Sequence, residues 1–222
     1  MKTGATALVA GIIGAIGVIL FLIAFGTEYW LLATETCGII YHHEGFFWRC
    51  WFFGDDPQTS VWRYWLMNQP HPKRCIPGYL FPMQIAVGPF PHPSFDATAM
   101  YRGFWTIFII LGAASGLSGG FLLVYGVPFA SAGCYKVGGG FLMISGALFS
   151  LILSLFVLWK EYAVDFPKYI SIERSNMCVP ENVLIDVKYG WSFTFAAFGT
   201  PFVCMSGIMF HFIGRHLEKL QK

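Results

Sequence analysis

Six cysteines, at positions 37, 50, 75, 134, 178 and 204, and one His42-His43-Glu44 run have types and spacing that could support chemistry. Cysteines cross-link, bind metal or act as nucleophiles, and compartment and neighbours decide which. The histidine run is a weak metal motif. On a strand, adjacent side chains point to opposite faces, so His42 and His43 cannot easily serve one ion. No paired carboxylates, nucleophile elbow or phosphate loop accompanies them. The expectation is a non-enzymatic protein with no catalytic residues, no cofactor and no metal, whose cysteines are mainly structural.

The chain that must position these residues is strongly apolar. Of 222 residues, 56% are hydrophobic, 18% aromatic and 12% charged. A soluble domain carries about twice that charged fraction. The composition excludes a disordered chain and argues against a soluble enzyme. A net charge of +2 offers no basic face for nucleic acid.

Four segments lack Asp, Glu, Lys and Arg: 4–26, 104–127, 137–158 and 191–213. Each meets the roughly 20 residues a helix needs to cross ~30 Å of hydrocarbon. Lipid cannot satisfy open backbone groups, so each is expected to be helical. The chain then reads as one four-span membrane domain, 1–222, in contact with membrane lipid. Loops 27–103 and 159–190 share one side; loop 128–136 and tail 214–222 share the other with the N-terminus. The short pieces carry five basic residues, Lys2 included, and one acidic residue, Glu218. The long loops carry nine basic and eleven acidic residues. The positive-inside rule puts both termini in the cytoplasm and the long loops outside. The first apolar run is longer than a usual signal core and is read as a retained span.

No span holds an acid, a lysine or an arginine, so no proton relay or ion path is expected within them. His211, near the cytoplasmic end of span four, is read as packed or interfacial. Gly112, Gly116 and Gly120 are spaced four apart, and Ala7, Gly11 and Ala15 repeat the pattern in span one. Such residues permit close helix approach, here read as packing within one chain ahead of a homo-oligomer face. Gly138-Gly139-Gly140 marks a tight turn or close contact, and Pro201 is a candidate kink. Trp30, Trp105, Trp159 and Trp191 sit at span ends and read as interfacial aromatics.

On this topology Cys37, Cys50, Cys75 and Cys178 lie in the oxidising exterior and read as two disulfides. Three pairings are open, and spacing does not choose among them. Cys204 falls within span four and reads as a packed thiol. Cys134, at the cytoplasmic edge, is a candidate for palmitoylation, with an unmodified thiol the plainer reading. Residues 28–34, 38–43 and 46–53 have strand character. Eight prolines between positions 57 and 93 exclude a long helix or central strand there. Residues 59–67 suit a short helix. A small antiparallel sheet on the helix bundle, with a proline-rich flap, follows.

One constellation is more specific. Trp30 follows span one; Gly45-Phe46-Phe47-Trp48-Arg49-Cys50, then Cys75, then Arg102 before span two complete it. The pattern resembles the claudin, epithelial membrane protein and peripheral myelin protein superfamily, whose signature is W, G-L-W, C and C, with an arginine near span two. The resemblance implies a mainly α membrane fold, a claudin-like left-handed four-helix transmembrane bundle carrying a small extracellular antiparallel sheet. It also implies a Cys50–Cys75 disulfide, which leaves Cys37 to pair with Cys178. Phe47 stands at the usual Trp position, with Trp48 shifted by one. The tail Leu220-Gln221-Lys222 lacks the apolar end that claudins offer to PDZ scaffolds.

Longer stretches, residues 25–35, 43–52, 101–105, 128–131, 189–193 and 214–216, are similar to a divergent, muscle-associated member of that superfamily. That resemblance implies a plasma-membrane regulator of muscle cell differentiation and myoblast fusion acting through integrin β1. Trp48, Trp51, Trp62 and Trp65 are the candidate partner contacts, since exposed tryptophans commonly anchor interfaces. The alternatives are a claudin-like cell-contact or barrier protein and an auxiliary subunit of an ion channel.

Overall fold

The computed structural model of the chain describes residues 2–35, 40–53, 74–77, 97–129, 131–163 and 185–221. The elements run α1 (Lys2–Gly26), β1 (Leu31–Glu35), β2 (Ile40–Glu44), β3 (Trp48–Phe53), β4 (Arg74–Pro77), α2 (Ala97–Phe129), α3 (Ala132–Leu158), a π-helical turn (Trp159–Ala163), β5 (Ile185–Tyr189) and α4 (Trp191–Gln221). Four helices are long and apolar enough to cross a membrane. The strands form one antiparallel sheet in the order β4-β3-β2-β1-β5.

The helices run past the charge-free segments. α2 begins at Ala97 and takes in Arg102; α3 begins at Ala132 and takes in Lys136. A helix continues beyond the hydrocarbon wherever its charged side chains find partners or water. Arg102 has Glu44, and Lys136 Nζ lies 3.2 Å from Glu218 Oε2 on α4. Ser131 caps α3, its hydroxyl accepting from the Cys134 amide at 3.5 Å.

α4 packs against α1 and α3, and α3 against α2. These contacts absorb much of the small-residue pattern. A Cβ on Gly139 would lie 2.6 Å from the His211 amide nitrogen and 2.7 Å from the Gly207 carbonyl oxygen, so this glycine marks a close helix crossing. Gly112 and Gly116 face Phe149 and Ser145 of α3, whereas Gly120 faces open space. Ser145 donates to the Gly112 carbonyl at 2.8 Å, and Ser206 to the Ala10 carbonyl at 2.8 Å. Cys204 seats its sulfur against Gly146 of α3. His211 Nδ1 lies 3.2 Å from the Lys136 carbonyl oxygen.

Three tryptophans depart from the interfacial reading. Trp30, Trp105 and Trp159 are 1%, 4% and 1% exposed. They turn inward because the sheet rests on that end of the bundle and needs an apolar seat. A span-end position looks the same in sequence whether its side chain points out to lipid or in to a cap.

Candidate functional site

The site is the junction where the sheet meets the bundle, and its position follows from two chain reversals. The Trp30 amide donates to the Glu44 carbonyl at 3.1 Å, and the Gly190 amide to the Trp30 carbonyl at 3.0 Å. The Ser192 amide donates to the Tyr29 carbonyl at 3.1 Å, and the Thr27 and Ser192 hydroxyls lie 2.7 Å apart. The exit of α1 is thereby fastened to the entry of α4. Gly45, in the β2–β3 turn, passes so close that a Cβ would sit 2.7 Å from Glu28 Cα and 2.9 Å from the Thr27 carbonyl oxygen. Only glycine fits that approach, which gives the motif glycine a physical reason.

Phe46, next in the turn, plugs the seat. Its ring lies 4.4 Å from Trp30 and 5.5 Å from Trp105, both edge-on, and 5.4 Å from Phe25. Trp105 and Trp159 stand edge-on at 5.4 Å. Such pairs add about 0.5–1.5 kcal/mol each beyond the area they bury. The Trp30 indole donates to the Ala24 carbonyl at 2.7 Å, so its buried polar atom is satisfied.

An ion pair lies inside this apolar seat. Arg102 of α2 reaches Glu44 of β2, and both side chains are 8% exposed. His42 Nε2 is 3.8 Å from the second Glu44 oxygen. Thr106 donates back to the Arg102 carbonyl at 2.9 Å. Register explains the grouping: Leu31 opposes Glu44, Ala33 opposes His42, and Arg49 opposes Glu44 from β3. Leu31, Ala33, His42 and Glu44 share one face, turned to α2 and α3. The cavity between them holds about 20 Å3 and is lined by Leu31, Glu44, Phe46, Arg102, Trp105 and Phe156 among others. That admits about one water and is far below the ~300 Å3 of a small-molecule site.

The opposite face carries the second cluster. Cys50 opposes Cys75 across β3 and β4, and the two are joined in a disulfide. His43 opposes Cys50 from β2 and is fully buried, with its ring stacked on Tyr29 at 4.5 Å. His43 Nδ1 lies 4.0 Å from Glu28 Oε1. Burial, then the Glu28 charge, raises the Tyr29 pKa above its ordinary value. Glu28, His43 and Cys50 place their donor atoms within 4.8 Å of one another. With Cys50 in the disulfide, only Glu28 and His43 of that group can donate to a metal. His42 sits on the other face, as strand alternation requires.

The other residues singled out from sequence fall as follows. Trp48, at the start of β3, is 48% exposed. Phe47 is half-buried beside it. Trp51 lies on β3 opposite His42 in register. Trp62, Trp65, Cys37, Cys178 and the short helix expected over 59–67 lie outside the described residues. Cys134 opens α3 with a half-buried free thiol. Two strands were not expected: β4, four residues among prolines at a sheet edge, and β5. Sequence reasoning also missed the Glu44–Arg102 pair, although an arginine at the mouth of an apolar span signals a partner.

A family model described as PMP-22/EMP/MP20/Claudin tight junction matches residues 15–212. Transmembrane protein 182 of Mus musculus is 39% identical over 229 residues, covering 98% of this chain and 99% of its own. The Gallus gallus protein of that name is 39% identical, covering 97% of each chain. The Homo sapiens protein is 39% identical, covering 92% of this chain and 93% of its own.

Proposed function

The chain belongs to the PMP-22/EMP/MP20/claudin family, and we propose that it is a non-enzymatic regulator at the plasma membrane, with both termini cytoplasmic, that restrains muscle cell differentiation and myoblast fusion through integrin β1. The observation that carries this reading is the division of labour in the fold. The sequence's charge-free segments offer lipid an apolar surface, while the motif residues seat a sheet on one end of the bundle. That sheet end is the part able to present a specific surface. Among the described residues of the sheet, Trp48 is the exposed aromatic and the contact this reading rests on, with Trp51, Trp62 and Trp65 kept as the further candidates from the sequence. Near-full-length similarity to transmembrane protein 182 agrees with the sequence resemblance from which the muscle and integrin reading is taken. The family's tight-junction description favours a cell-contact or barrier role as the second reading.

The test is surface cross-linking of tagged protein in differentiating muscle cells, mild-detergent capture and mass spectrometry. Enrichment of integrin β1, lost when the four tryptophans become alanine at unchanged surface delivery, supports the reading. Recovery of the protein alone, or of channel subunits, rejects it for the barrier or auxiliary-subunit roles.

A further inference from the structure

Cys50 and Cys75 share a bond but not an environment. Cys50 is 1% exposed, whereas Cys75 is exposed on β4, an edge strand of the sheet. Glu28 Oε1 lies 4.0 Å from Cys50 Sγ and 4.0 Å from His43 Nδ1. A sulfur, an imidazole and a carboxylate are therefore gathered on one side of the bond, and solvent reaches the other. Neither the sheet–bundle ion pair nor the proposed partner surface uses this cluster. Tyr29 holds the His43 ring in place by stacking.

We propose that this disulfide is a directional thiol-exchange site, attacked at Cys75 and leaving at Cys50. The ligand class is a thiol, either a small one such as glutathione or the cysteine of an oxidoreductase. The incoming thiolate sulfur bonds to Cys75 Sγ as the Cys75–Cys50 bond breaks. The electron pair of the broken bond stays on Cys50 Sγ. A proton passes to it from the Glu28–His43 pair, which regains one from solvent. The products are a mixed disulfide at Cys75 and a Cys50 thiol, and the count of disulfide bonds is unchanged. Access decides which sulfur is attacked, and a stabilised leaving thiol speeds the step. A bare thiolate beside a carboxylate in a buried place is disfavoured, so the leaving sulfur needs that proton. Once formed, the Cys50 thiol faces Glu28 Oε1 as its acceptor. Exchange opens the cross-link over a sequence separation of 25 and leaves β4 held to β3 by their backbone ladder alone.

The test uses the full chain in detergent micelles, exposed to a glutathione series, quenched with an alkylating reagent and mapped by mass spectrometry. The expected product carries glutathione on Cys75 and the alkyl group on Cys50, about tenfold over the reverse. His43→Gln is expected to slow opening about tenfold at the same regiochemistry. A thioredoxin-class protein lacking its resolving cysteine distinguishes the sources. Trapping on Cys75 at lower concentration than glutathione requires assigns the site to protein thiols, and the converse assigns it to small thiols. Glutathione on Cys50, an even split, or a bond closed across the whole series overturns the proposal. Equal opening rates in wild type and a folded His43→Gln overturn the proton transfer. If that variant does not fold, the wild-type regiochemistry alone decides.

Discussion

Replacing Arg102 by methionine isolates what the buried pair contributes to the seat of the sheet. Methionine keeps much of the aliphatic reach and removes the guanidinium. Glu44 is then left with its side chain 8% exposed in a cavity too small to hydrate it well. Removing one partner of a buried pair costs about 3–5 kcal/mol, because the remaining charge is desolvated without compensation. At about 2–4 °C per kcal/mol for a chain of this size, the midpoint should fall by about 6–20 °C. The double variant Glu44→Leu/Arg102→Met removes both charges, and apolar replacement of a buried pair is often close to neutral. The account therefore expects the double variant to regain most of the loss, with a coupling energy of about 2–4 kcal/mol. Thermal unfolding in detergent micelles, followed by tryptophan fluorescence, reads this directly because Trp105 and Trp159 line the cavity beside the pair. A loss below about 1 kcal/mol for Arg102→Met, or strict additivity in the double variant, refutes the claim that this pair couples sheet to bundle.

Gly139→Ala should destabilise by about 1–3 kcal/mol, because its Cβ meets backbone of α4, while Gly140→Ala, with nothing within 4 Å, should be neutral or slightly stabilising by the same unfolding assay. Cys50→Ser with Cys75→Ser should cost about 3–4 kcal/mol in the chain-entropy estimate for a loop of this length, seen as a lower midpoint without reductant. Trp30→Ala should cost about 3–5 kcal/mol and lower the yield of folded protein. Burial, the hydrogen bond to Glu161 and that carboxylate's charge raise the Tyr189 pKa above its ordinary 10.0. The folded chain then keeps a proton that the unfolded chain loses, so this contribution is complete below the ordinary value and is lost as pH rises through the raised one. An ultraviolet phenol titration should lose one late-ionising tyrosine in Tyr189→Phe, while Tyr29 stays late in both proteins.

The spans were legible because an uninterrupted apolar run has one use in a chain with so few charges. Strands β1, β2 and β3 were legible from aromatic and β-branched runs near the cysteines. β5 was missed although Ile185-Asp186-Val187-Lys188-Tyr189 alternates as a strand should; its shortness hid the signal. The helices extend past the charge-free segments because Arg102 and Lys136, which look like boundaries in sequence, find partners in Glu44 and Glu218. The Cys50–Cys75 bond followed from resemblance, since spacing left three pairings open. The Glu44–Arg102 pair joins residues 58 apart and has no local signature. The inward turn of the tryptophans likewise depends on the sheet above them, which no single span encodes.

The central proposal is that the sheet end of this protein contacts integrin β1 through Trp48, which is exposed. The most direct measurement is binding of the purified full chain, in lipid nanodiscs, to purified integrin β1 heterodimer, compared with Trp48→Ala. Trp48 is half-exposed, so its loss should leave the unfolding midpoint unchanged. The account predicts saturable binding that weakens at least about 30-fold in the variant, the loss of an interface anchor. Absent binding, or equal binding by wild type and variant, contradicts it.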